Sequence, residues 1–339
     1  MNKCHSVPFF SVIIPVYNAA KFLQFTLNSV YNQTFKDFEI IVIDDGSTDN
    51  SFEILTSQTD SRLRIYQQEN SGVSATRNRA IREARGKYIA MLDGDDAWMV
   101  DHLELAARFF DKHPEYVWFF TNAPSVSDID ESDLKSPQNR KGSYMAVNWF
   151  LDVFNIPMCS SCFILRELIE KDFFPLGIKM YEDNVAFSRF AMLNPMIGSA
   201  TCHTAYYRSW NGSATIRFHN IRKAQRTGVE LDALLEHQKM FNSSNCPKEA
   251  KLYFRFFSYS NWWGRIRAQH LLSWIDEMRA RQIVTGKLLT CWLIMFAKLS
   301  DLFFRIMGKG VRLKYNSVVR KIQKEAAKNK VILSPLDSN

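Results

Sequence analysis

Three aspartates stand close together at the end of an apolar segment. The stretch YIAMLDGDDAW, residues 88–98, places Asp93, Asp95 and Asp96 directly after a run that is typical of a buried strand. Adjacent carboxylates raise one another's pKa and repel unless a cation neutralises them. One explanation is structural, because Asp95, Asp96 or Asp101 could cap the following helix. The other is a divalent cation, Mg²⁺ or Mn²⁺, held by one or two carboxylates, a diphosphate and water.

A second pair of aspartates follows an earlier apolar run. Asp44 and Asp45 open the segment DDGSTDNS, which is rich in turn-forming and helix-capping residues, directly after FEIIVI. The segment contains neither G-x-x-x-x-G-K nor G-x-G-x-x-G, the patterns of loops that bind phosphate through their backbone. A diphosphate bound here would therefore depend on a cation.

The elements that must position these carboxylates alternate along the chain. Short apolar strands are predicted at 9–16, 38–43, 63–67 and 88–92, and each is followed by a segment with helical spacing of its apolar residues. This alternation over the first 115 or so residues predicts a doubly wound, mostly parallel α/β sheet of the Rossmann type. Ligands of such sheets bind outside the carboxyl ends of the strands, so both aspartate segments are expected at the binding edge.

A polar stretch, SVSDIDESDLKSPQNRKG at 125–142, interrupts this pattern. Its composition predicts a mobile surface loop. A lid over the binding edge and an inert insertion remain equal alternatives for it.

Charge is divided unevenly along the 339 residues. Residues 1–220 carry a net charge of −5 and residues 221–339 one of +13, which together give the +8 of the whole chain. A chain of this length exceeds the usual size of a single core, and we expect one large domain with an appendage. The basic part could be a solvated face, or it could face an anionic membrane or nucleic acid.

Six cysteines and the N-terminal segment bear on the compartment. The apolar run near the N-terminus is typical of a strand and lacks a small-residue cleavage site, so we expect no signal peptide, a cytoplasmic protein and free thiols. Cys159 and Cys162 form a single C-x-x-C pair without a second pair at zinc spacing. Packing is therefore the better interpretation of that pair.

Two long stretches together resemble one enzyme family. SVIIPVYNAAKFLQFTLNSVYNQTFKDFEIIVIDDGSTDNS and ENSGVSATRNRAIREARGKYIAMLDGDD are similar to the inverting nucleotide-sugar glycosyltransferases of family 2, of the bacterial surface-glycan type. The resemblance is almost continuous from 11 to about 101. It implies a GT-A fold over residues 1–220, followed by a basic, aromatic-rich helical extension over 221–339.

The resemblance also implies an activity and a cofactor. It predicts transfer of a sugar, hexosyl or N-acetylhexosaminyl, from a nucleotide diphosphate donor to a hydroxyl of a glycan or lipid-linked glycan, with inversion. UDP is the expected nucleotide and Mn²⁺ or Mg²⁺ the expected cofactor. The acceptor would belong to polysaccharide or lipopolysaccharide biosynthesis.

Site residues follow from the same resemblance, position by position. The residues expected to bind the nucleotide or donor sugar are Pro15, Tyr17, Asp45, Ser47, Arg77, Asn78 and Asp93. Asp95 is expected to bind the metal, with Asp96 in support or capping the next helix. Asp44 is left as a structural alternative within its pair.

An inverting transfer also needs a base for the acceptor hydroxyl. The resemblance assigns this role to Asp183 of MYEDNVAFSRFAM, with Glu182 supporting it. Taken alone, two acids in a first helical turn need no function, because the helix dipole favours them there. His203 is a further candidate metal ligand, although a structural histidine is the better interpretation.

The C-terminal third is predicted to contain helices at 222–240, 247–267 and 287–307. The last has a Trp- and Phe-rich apolar stripe with basic flanks, but its uncharged run of ten residues is too short to cross a bilayer. Such a helix is typical of peripheral contact with a membrane, here the inner face of the cytoplasmic membrane. Packing against the catalytic domain, or against a second copy in a homodimer, explains it equally well, and nucleic acid is not the expected partner.

Two other functions compete with the transferase. A nucleotidyltransferase would also present carboxylates at this edge, but would need a basic loop soon after the first strand, where PVYNAAKF offers Lys21. A catalytically inactive glycan- or partner-binding module at the membrane is the second. The joint presence of Asp45, Asp95 and Asp183 argues against it.

Overall fold

Four parallel strands form the first half of the central sheet. A computed structural model describes residues 7–137, 140–152, 157–213, 216, 231–255 and 316–336. In it the predicted strands are β1 (Phe10–Val16), β2 (Phe38–Asp44), β3 (Leu63–Gln67) and β4 (Tyr88–Met91), in the order β4-β1-β2-β3. All three pairings are parallel, and every residue of β2 is buried. Burial on both faces explains why β1, β2 and β4 are largely apolar, whereas β3 lies at the edge of the sheet and is only partly buried.

The helices between these strands cover the sheet. They are α1 (Ala20–Tyr31), α2 (Ser51–Thr56), α3 (Val73–Glu83) and, after β4, α4 (His102–Lys112). In α1 and α4 the buried residues recur at helical spacing, for example Leu23, Leu27 and Val30 in α1. The sequence therefore predicts this half of the molecule correctly, with helix ends shifted by a few residues.

Five further strands extend the sheet beyond β4. They are β6 (Trp118–Asn122), β8 (Ser143–Asn148), β9 (Cys162–Leu165), β10 (Met196–His203) and β12 (Val331–Pro335). The full order is β12-β8-β10-β6-β9-β4-β1-β2-β3, in which β9 runs antiparallel to both β4 and β6. Helix α5 (Glu182–Leu193) precedes β10, and a 3-10 turn at Cys159–Ser161 leads into β9.

The chain reverses its direction of growth across the sheet at β1. From β1 it moves outward to β2 and β3, and it then returns to place β4 on the other side of β1. Adjacent loops after β1 and β4 separate at such a point and leave a crevice outside the carboxyl ends of the strands. Both aspartate segments follow their strands, β2 and β4, at this edge of the sheet.

A smaller sheet lies beside the crevice. Its strands are β5 (Ala97–Trp98), β11 (Ala205–Arg208) and β7 (Ser125–Val126), with β11 in the middle. The polar stretch that contains β7 was expected to be a mobile loop, but its Ile129 and Leu134 are buried against Ala97. Two apolar side chains within an otherwise polar stretch are sufficient to anchor it.

The described C-terminal residues pack into the same core. Helix α6 (Leu231–Phe241) contacts α5, residues 248–255 and 316–329 are helical, and β12 pairs with β8. Tyr253 and Ile322 are buried within the core cluster that contains Trp118 and Phe187. These parts of the predicted extension therefore share a core with the central sheet, while the predicted boundary at 220 lies outside the described residues.

The predicted membrane-surface helix at 287–307 also lies outside the described residues. Within the described ranges, no helix combines the length and the apolar character that crossing a bilayer requires.

Candidate active site

The loops after β1 and β2 are held together by short polar contacts. The Asn18 backbone N–H donates to Ser47 Oγ over 3.0 Å, and the Thr48 N–H donates to Asn18 Oδ1 over 2.8 Å. Asn18 adopts φ +51°, a conformation that asparagine tolerates better than most residues. Tyr17, directly before it, is 43% exposed, and it follows Pro15 and Val16, the last two residues of β1.

Asp45 accepts three hydrogen bonds from the segment that begins α3. Its Oδ1 receives Gln68 Nε2 at 2.7 Å and the Ser71 N–H at 2.9 Å, and its Oδ2 receives the Gly72 N–H at 2.9 Å. Gly72 has φ +85°, which favours glycine. Asp45 is 3% exposed, so this carboxylate holds the helix start in place from within the protein.

Asp44, its neighbour, is buried inside the loop. Its Oδ2 lies 3.3 Å from the Ser47 N–H and 3.2 Å from Gln67 Nε2, both long contacts. Its Oδ1 has no partner among the described residues. The two aspartates of the pair thus differ, and Asp44 takes the interior position.

The loop after β4 packs directly against the end of β1. A Cβ on Gly94 would lie 3.1 Å from the Pro15 carbonyl oxygen, closer than most Cβ contacts. Glycine at this position therefore lets the DGDD loop approach β1.

Asp96 points into the protein. Its Oδ2 accepts Ser160 Oγ at 2.5 Å and its Oδ1 accepts the Arg208 N–H at 2.8 Å. Burial raises the pKa of Asp96 well above its usual range, and the charge of Asp95 raises it further. The expectation that Asp96 caps the next helix is wrong, because both carboxylate oxygens are occupied in this way.

Helix α4 is capped by a different residue. The Leu103 N–H donates to Gln33 Oε1 over 2.9 Å. Asp101 is the residue that precedes the helix, but its carboxylate makes no capping bond and pairs with Arg140 instead. The capping interpretation of the aspartates that follow β4 is therefore excluded.

Asp95 stands between these interior contacts and the crevice. Its Oδ2 accepts the Trp210 indole N–H at 2.8 Å, and its carbonyl oxygen accepts Arg208 Nε at 2.8 Å. Burial raises the pKa of Asp95 and the charge of Asp93 adds to this, while the Trp210 hydrogen bond lowers it. A bound cation would relieve this unfavourable burial of charge.

Arg77 joins the DGDD loop to α5. Its Nη2 lies 2.7 Å from Asp93 Oδ1 and its Nη1 lies 2.9 Å from Glu182 Oε1, while the guanidinium carbon lies 5.1 Å from the centre of the Phe174 ring. Arg77 is 5% exposed. Its guanidinium bridges two groups of carboxylates that stand about 90 residues apart in the sequence, and the expected position of Arg77 near the nucleotide stays a prediction.

Asn78 is also engaged inside the protein. Its Nδ2 donates to the Phe174 carbonyl over 2.7 Å, and its Oδ1 accepts the Phe174 N–H at 2.9 Å. Both ends of the amide are therefore used by the backbone that leads to α5. The expected contact of Asn78 with the nucleotide does not fit this arrangement, and its observed role is to hold the segment before Glu182.

Asp183 lies in the first turn of α5, next to the Arg77 bridge. Tyr181, the residue before the helix, has φ +63°. Asp183 Oδ1 accepts the Asn184 N–H at 2.7 Å. Burial raises the pKa of Asp183 to about 7; the charge of Glu182 raises it too, and Arg77 opposes the shift. A carboxylate with this pKa can gain and lose a proton near neutral pH.

The other candidate metal ligands do not complete a metal-binding group among the described residues. His203 Nε2 contacts Tyr206 Oη at 3.3 Å, and Cys159 and Cys162 are buried free thiols whose pKa values burial raises. Across the described ranges, no three His, Cys, Asp or Glu side chains are grouped so that they could share a metal ion. A cation at this edge would depend mainly on Asp95.

Three residues that touch the aspartates were not selected from the sequence. Ser160 accepts the Asp93 N–H at 3.0 Å in addition to its bond to Asp96, and Arg208 and Trp210 contact Asp95 from β11 and beyond. The segment YYRSW after β10 gave no signal, because a hydrogen bond between distant loops leaves no periodic pattern.

Comparison with known proteins agrees with this architecture. Residues 11–173 match the model of the family described as glycosyl transferase family 2. The putative teichuronic acid biosynthesis glycosyltransferase TuaG of Bacillus subtilis is 42% identical over 105 residues, which cover 30% of this chain and 42% of that protein. The aligned parts amount to no more than 42% of the first curated relatives, so the chain spans less than half their length.

Two solved structures resemble the whole chain. S. aureus TarS in complex with UDP-GlcNAc has a TM-score of 0.60 at 20% identity, covering 94% of this chain and 91% of that one. The mannosyltransferase PcManGT of Pyrobaculum calidifontis, in complex with GDP-Man and Mn²⁺, has a TM-score of 0.53 at 17% identity, covering 94% and 88%. These likenesses show the fold, and with the family match they establish that residues 11–173 form a family 2 glycosyltransferase domain of GT-A fold.

Proposed function

We propose that this protein is an inverting glycosyltransferase that moves a sugar from a nucleotide diphosphate donor to a hydroxyl of a glycan or lipid-linked glycan. One observation carries the proposal. A carboxylate with a pKa of about 7, Asp183, is linked through Glu182 and Arg77 to the aspartate loop at the carboxyl end of β4. The base and the donor-side carboxylates thus belong to one charged network around the crevice.

Asp183 is the proposed general base. The acceptor oxygen attacks the anomeric carbon, the bond from that carbon to the diphosphate oxygen breaks, and the hydroxyl proton passes to the Asp183 carboxylate. Attack from the side opposite the leaving group inverts the anomeric centre. The raised pKa of Asp183 suits this role, because a base whose pKa lies near the working pH is available and still basic.

The nucleotide is proposed to bind at the ends of β1 and β2. The half-exposed ring of Tyr17 offers a surface for the base beside Pro15, and Ser47 lies in the adjoining loop. A carboxylate accepts about four hydrogen bonds, and Asp45 uses three of them internally. One position is thus left for a ring N–H such as that of uracil, which supports UDP as the nucleotide.

Asp95 is proposed to hold a divalent cation, with Asp93 toward the donor sugar. The fit rests on the buried, repelled charge of Asp95, whose raised pKa shows that the protein itself does not neutralise it. Mg²⁺ and Mn²⁺ are commonly bound by one or two carboxylates together with substrate phosphates, so one residue is sufficient. When bound, such a cation would stabilise the diphosphate as a leaving group.

The comparisons support the substrate class. The complex of TarS with UDP-GlcNAc supports a UDP-sugar donor, and that of PcManGT with Mn²⁺ supports a divalent cation. The similarity to TuaG supports an acceptor in bacterial polysaccharide synthesis. We propose that the acceptor is presented at the inner face of the cytoplasmic membrane.

A panel of sugar nucleotides tests the proposal. The full chain is incubated with UDP-, GDP- and other nucleotide-activated sugars and Mn²⁺, and nucleotide release is measured with and without acceptor extracts. We expect release from one donor class that Asp95→Asn lowers at least about a hundredfold, because a charge that stabilises the transition state is removed.

Asp172→Asn is the matched control, because it removes an exposed carboxylate that pairs only loosely with Arg82, at 3.7 Å. It should leave the rate unchanged. Absence of release with every donor, or a fully active Asp95→Asn, would contradict the proposal.

A further inference from the structure

Trp210 contacts the carboxylate that is proposed to bind the cation. Its indole Nε1 donates to Asp95 Oδ2 over 2.8 Å. An indole N–H is a donor and has no lone pair to offer, so it cannot ligate a metal. Trp210 therefore holds Asp95 in place while it contributes nothing to the coordination of a cation.

The indole is built into this position by its neighbours. Its ring packs edge-on against Phe22 with 5.1 Å between ring centres. A Cβ on Gly212 would lie 2.0 Å from Trp210 Cζ3, so the ring occupies the space that any larger residue at 212 would need. The hydrogen bond to Asp95 is thus a contact that the surrounding chain specifies.

The same segment fixes the backbone of the aspartate loop. Arg208 Nε donates to the Asp95 carbonyl, and the guanidinium of Arg208 lies 4.5 Å from the centre of the Phe22 ring. The Arg208 N–H also occupies Asp96 Oδ1. β11 and the residues after it therefore act as a clamp on two consecutive aspartates.

The remaining carboxylates are engaged as well. Asp93 Oδ1 is paired with Arg77 at 2.7 Å, and Asp96 gives both oxygens to Ser160 and Arg208. In the part of the chain that the structure describes, no third His, Cys, Asp or Glu completes a metal-binding group. The protein alone offers a cation too few ligands for tight binding, because a hard divalent cation takes six or more.

We propose that Trp210 makes cation binding depend on the nucleotide diphosphate. It fixes Asp95 for the cation but occupies the place of a further protein ligand, so that the diphosphate must supply the coordination that the protein lacks. This inference rests on the proposed function, since it assumes a nucleotide diphosphate at this edge. Cation and nucleotide would then bind as one unit.

Equilibrium dialysis of the full chain against Mn²⁺ tests this dependence without any turnover. Manganese retained by the protein is measured without nucleotide and with saturating UDP, since UDP and its manganese complex pass the membrane. We expect the dissociation constant for Mn²⁺ to fall at least about tenfold when UDP is present. Equally tight retention without UDP would overturn the inference and leave the transferase proposal intact.

Two substitutions at one position sharpen the test. With the same χ1 and its ring turned by 180° about χ2, a histidine at 210 places Nε2 where the indole Nε1 stands, because both atoms are two bonds from Cγ in a five-membered ring. Trp210→His should therefore retain Mn²⁺ without UDP at least about tenfold more tightly than the wild type, since imidazole is a ligand for such metals. Trp210→Phe, the matched control, keeps an aromatic ring and should show no gain.

The outcomes separate the two proposals. If Trp210→His melts like the wild type and binds Mn²⁺ no better than Trp210→Phe, the role assigned to Trp210 is wrong. If UDP is not retained by the wild-type protein at all, with or without Mn²⁺, the proposed function fails together with the inference. Should Trp210→His not fold, Trp210→Phe decides: it loses the hydrogen bond that holds Asp95 and should bind Mn²⁺ less tightly than the wild type with UDP present, and equal binding would overturn the role of Trp210.

Discussion

The loops after β2 and β4 both contain adjacent aspartates, and the carboxylates of the two loops lie in opposite environments. In the loop after β2, Asp45 receives three hydrogen bonds, two of them from backbone N–H groups at the start of α3. In the loop after β4, burial and mutual repulsion raise the pKa values of Asp95 and Asp96. The first loop uses its charge to stabilise the fold, while the second keeps charge where burial makes it costly.

A second part of the site also contains a carboxylate whose pKa is raised by burial. Through Arg77 the loop after β4 is joined to the start of α5, where Asp183 also has a raised pKa. Natural proteins retain such costly groups at functional sites, where activity outweighs stability. The contrast between the loops therefore separates a carboxylate that the fold stabilises by hydrogen bonds from carboxylates whose charge burial makes unfavourable, and substitutions can test it.

The largest expected effect is on the rate of Asp183→Asn. Loss of a general base lowers a rate by roughly 10² to 10⁴. The expected result is a fall of this size in kcat, with the dissociation constant of the donor nearly unchanged, because the base acts on the acceptor. Steady-state kinetics and a direct measurement of donor binding check it. A variant that retains its rate would contradict the role of Asp183 as the base.

The pH dependence of the wild type gives the same contrast without a substitution. The base form of Asp183 is lost as pH falls through about 7, so kcat/KM should decline tenfold per pH unit below that value. A flat profile between pH 5.5 and pH 7.5 would contradict the assignment, and both limits can be reached in overlapping buffers at constant ionic strength.

Stability should move in the opposite direction. Because the pKa of Asp183 is higher in the folded than in the unfolded chain, the folded state binds more protons between about pH 4 and pH 7. This group's contribution to the free energy of unfolding therefore decreases as pH rises through that window. Allowing for partial solvent exposure, Asp183→Asn should be more stable than the wild type at pH 8 by about 1 kcal/mol, measured by urea denaturation.

Asp45→Ala is expected to have a smaller effect than Asp183→Asn, and this effect is on the free energy of unfolding. The substitution leaves the N–H groups of Ser71 and Gly72 without their partner, which should cost about 2–3 kcal/mol in the free energy of unfolding. Asp95→Ala should cost less than about 1 kcal/mol or stabilise the protein, because it removes a buried, repelled charge. Equal losses in the two variants would show that the loops are alike.

The smallest effect is expected within the first loop. Ser47→Ala removes the acceptor of the Asn18 N–H and should lower the free energy of unfolding by about 0.5–1 kcal/mol. Ser57→Ala, which loses an exposed hydroxyl bond at the end of α2, is the control and should change it less. Urea denaturation at pH 7 checks both, and a loss above that of Asp45→Ala would reverse the order proposed for this loop.

Local patterns made the first half of the fold predictable. The runs that became β1 to β4 are short, apolar and bounded by turn formers, and parallel strands buried on both faces leave this signature. Because carboxyl ends of parallel strands meet at one edge, the positions of Asp45 and Asp95 followed from the strands. Asp183 was also predicted to lie in the first turn of a helix, and the structure confirms this.

Contacts between distant segments were not predictable in the same way. Asn78 is committed to Phe174 and Asp96 to Ser160 and Arg208, partners 64 to 112 residues away. No spacing rule reports which of several polar groups will meet across such separations. The roles of these residues therefore had to come from the structure, as did the contact of Trp210 with Asp95.

The C-terminal third shows a further limit of sequence patterns. Its net positive charge suggested an appendage, but charge describes the surface and says little about what the apolar residues pack against. Tyr253 is 1% exposed and donates to Asn184 Oδ1 over 2.8 Å, next to the proposed base. Tyr253 therefore packs against α5, the helix of the proposed base, whatever the charge of the surrounding sequence.

The pairing of β12 with β8 has a consequence for biosynthesis. Strand β8 lies near the middle of the sequence, yet its outer partner is formed by Val331–Pro335, almost 190 residues later. During translation the edge of β8 emerges from the ribosome long before its partner is made, and an unpaired edge is a template for aggregation. Synthesis of β12, rather than completion of the parallel half, is then the step that allows this sheet to close, and nascent chains arrested before 331 should depend on chaperones.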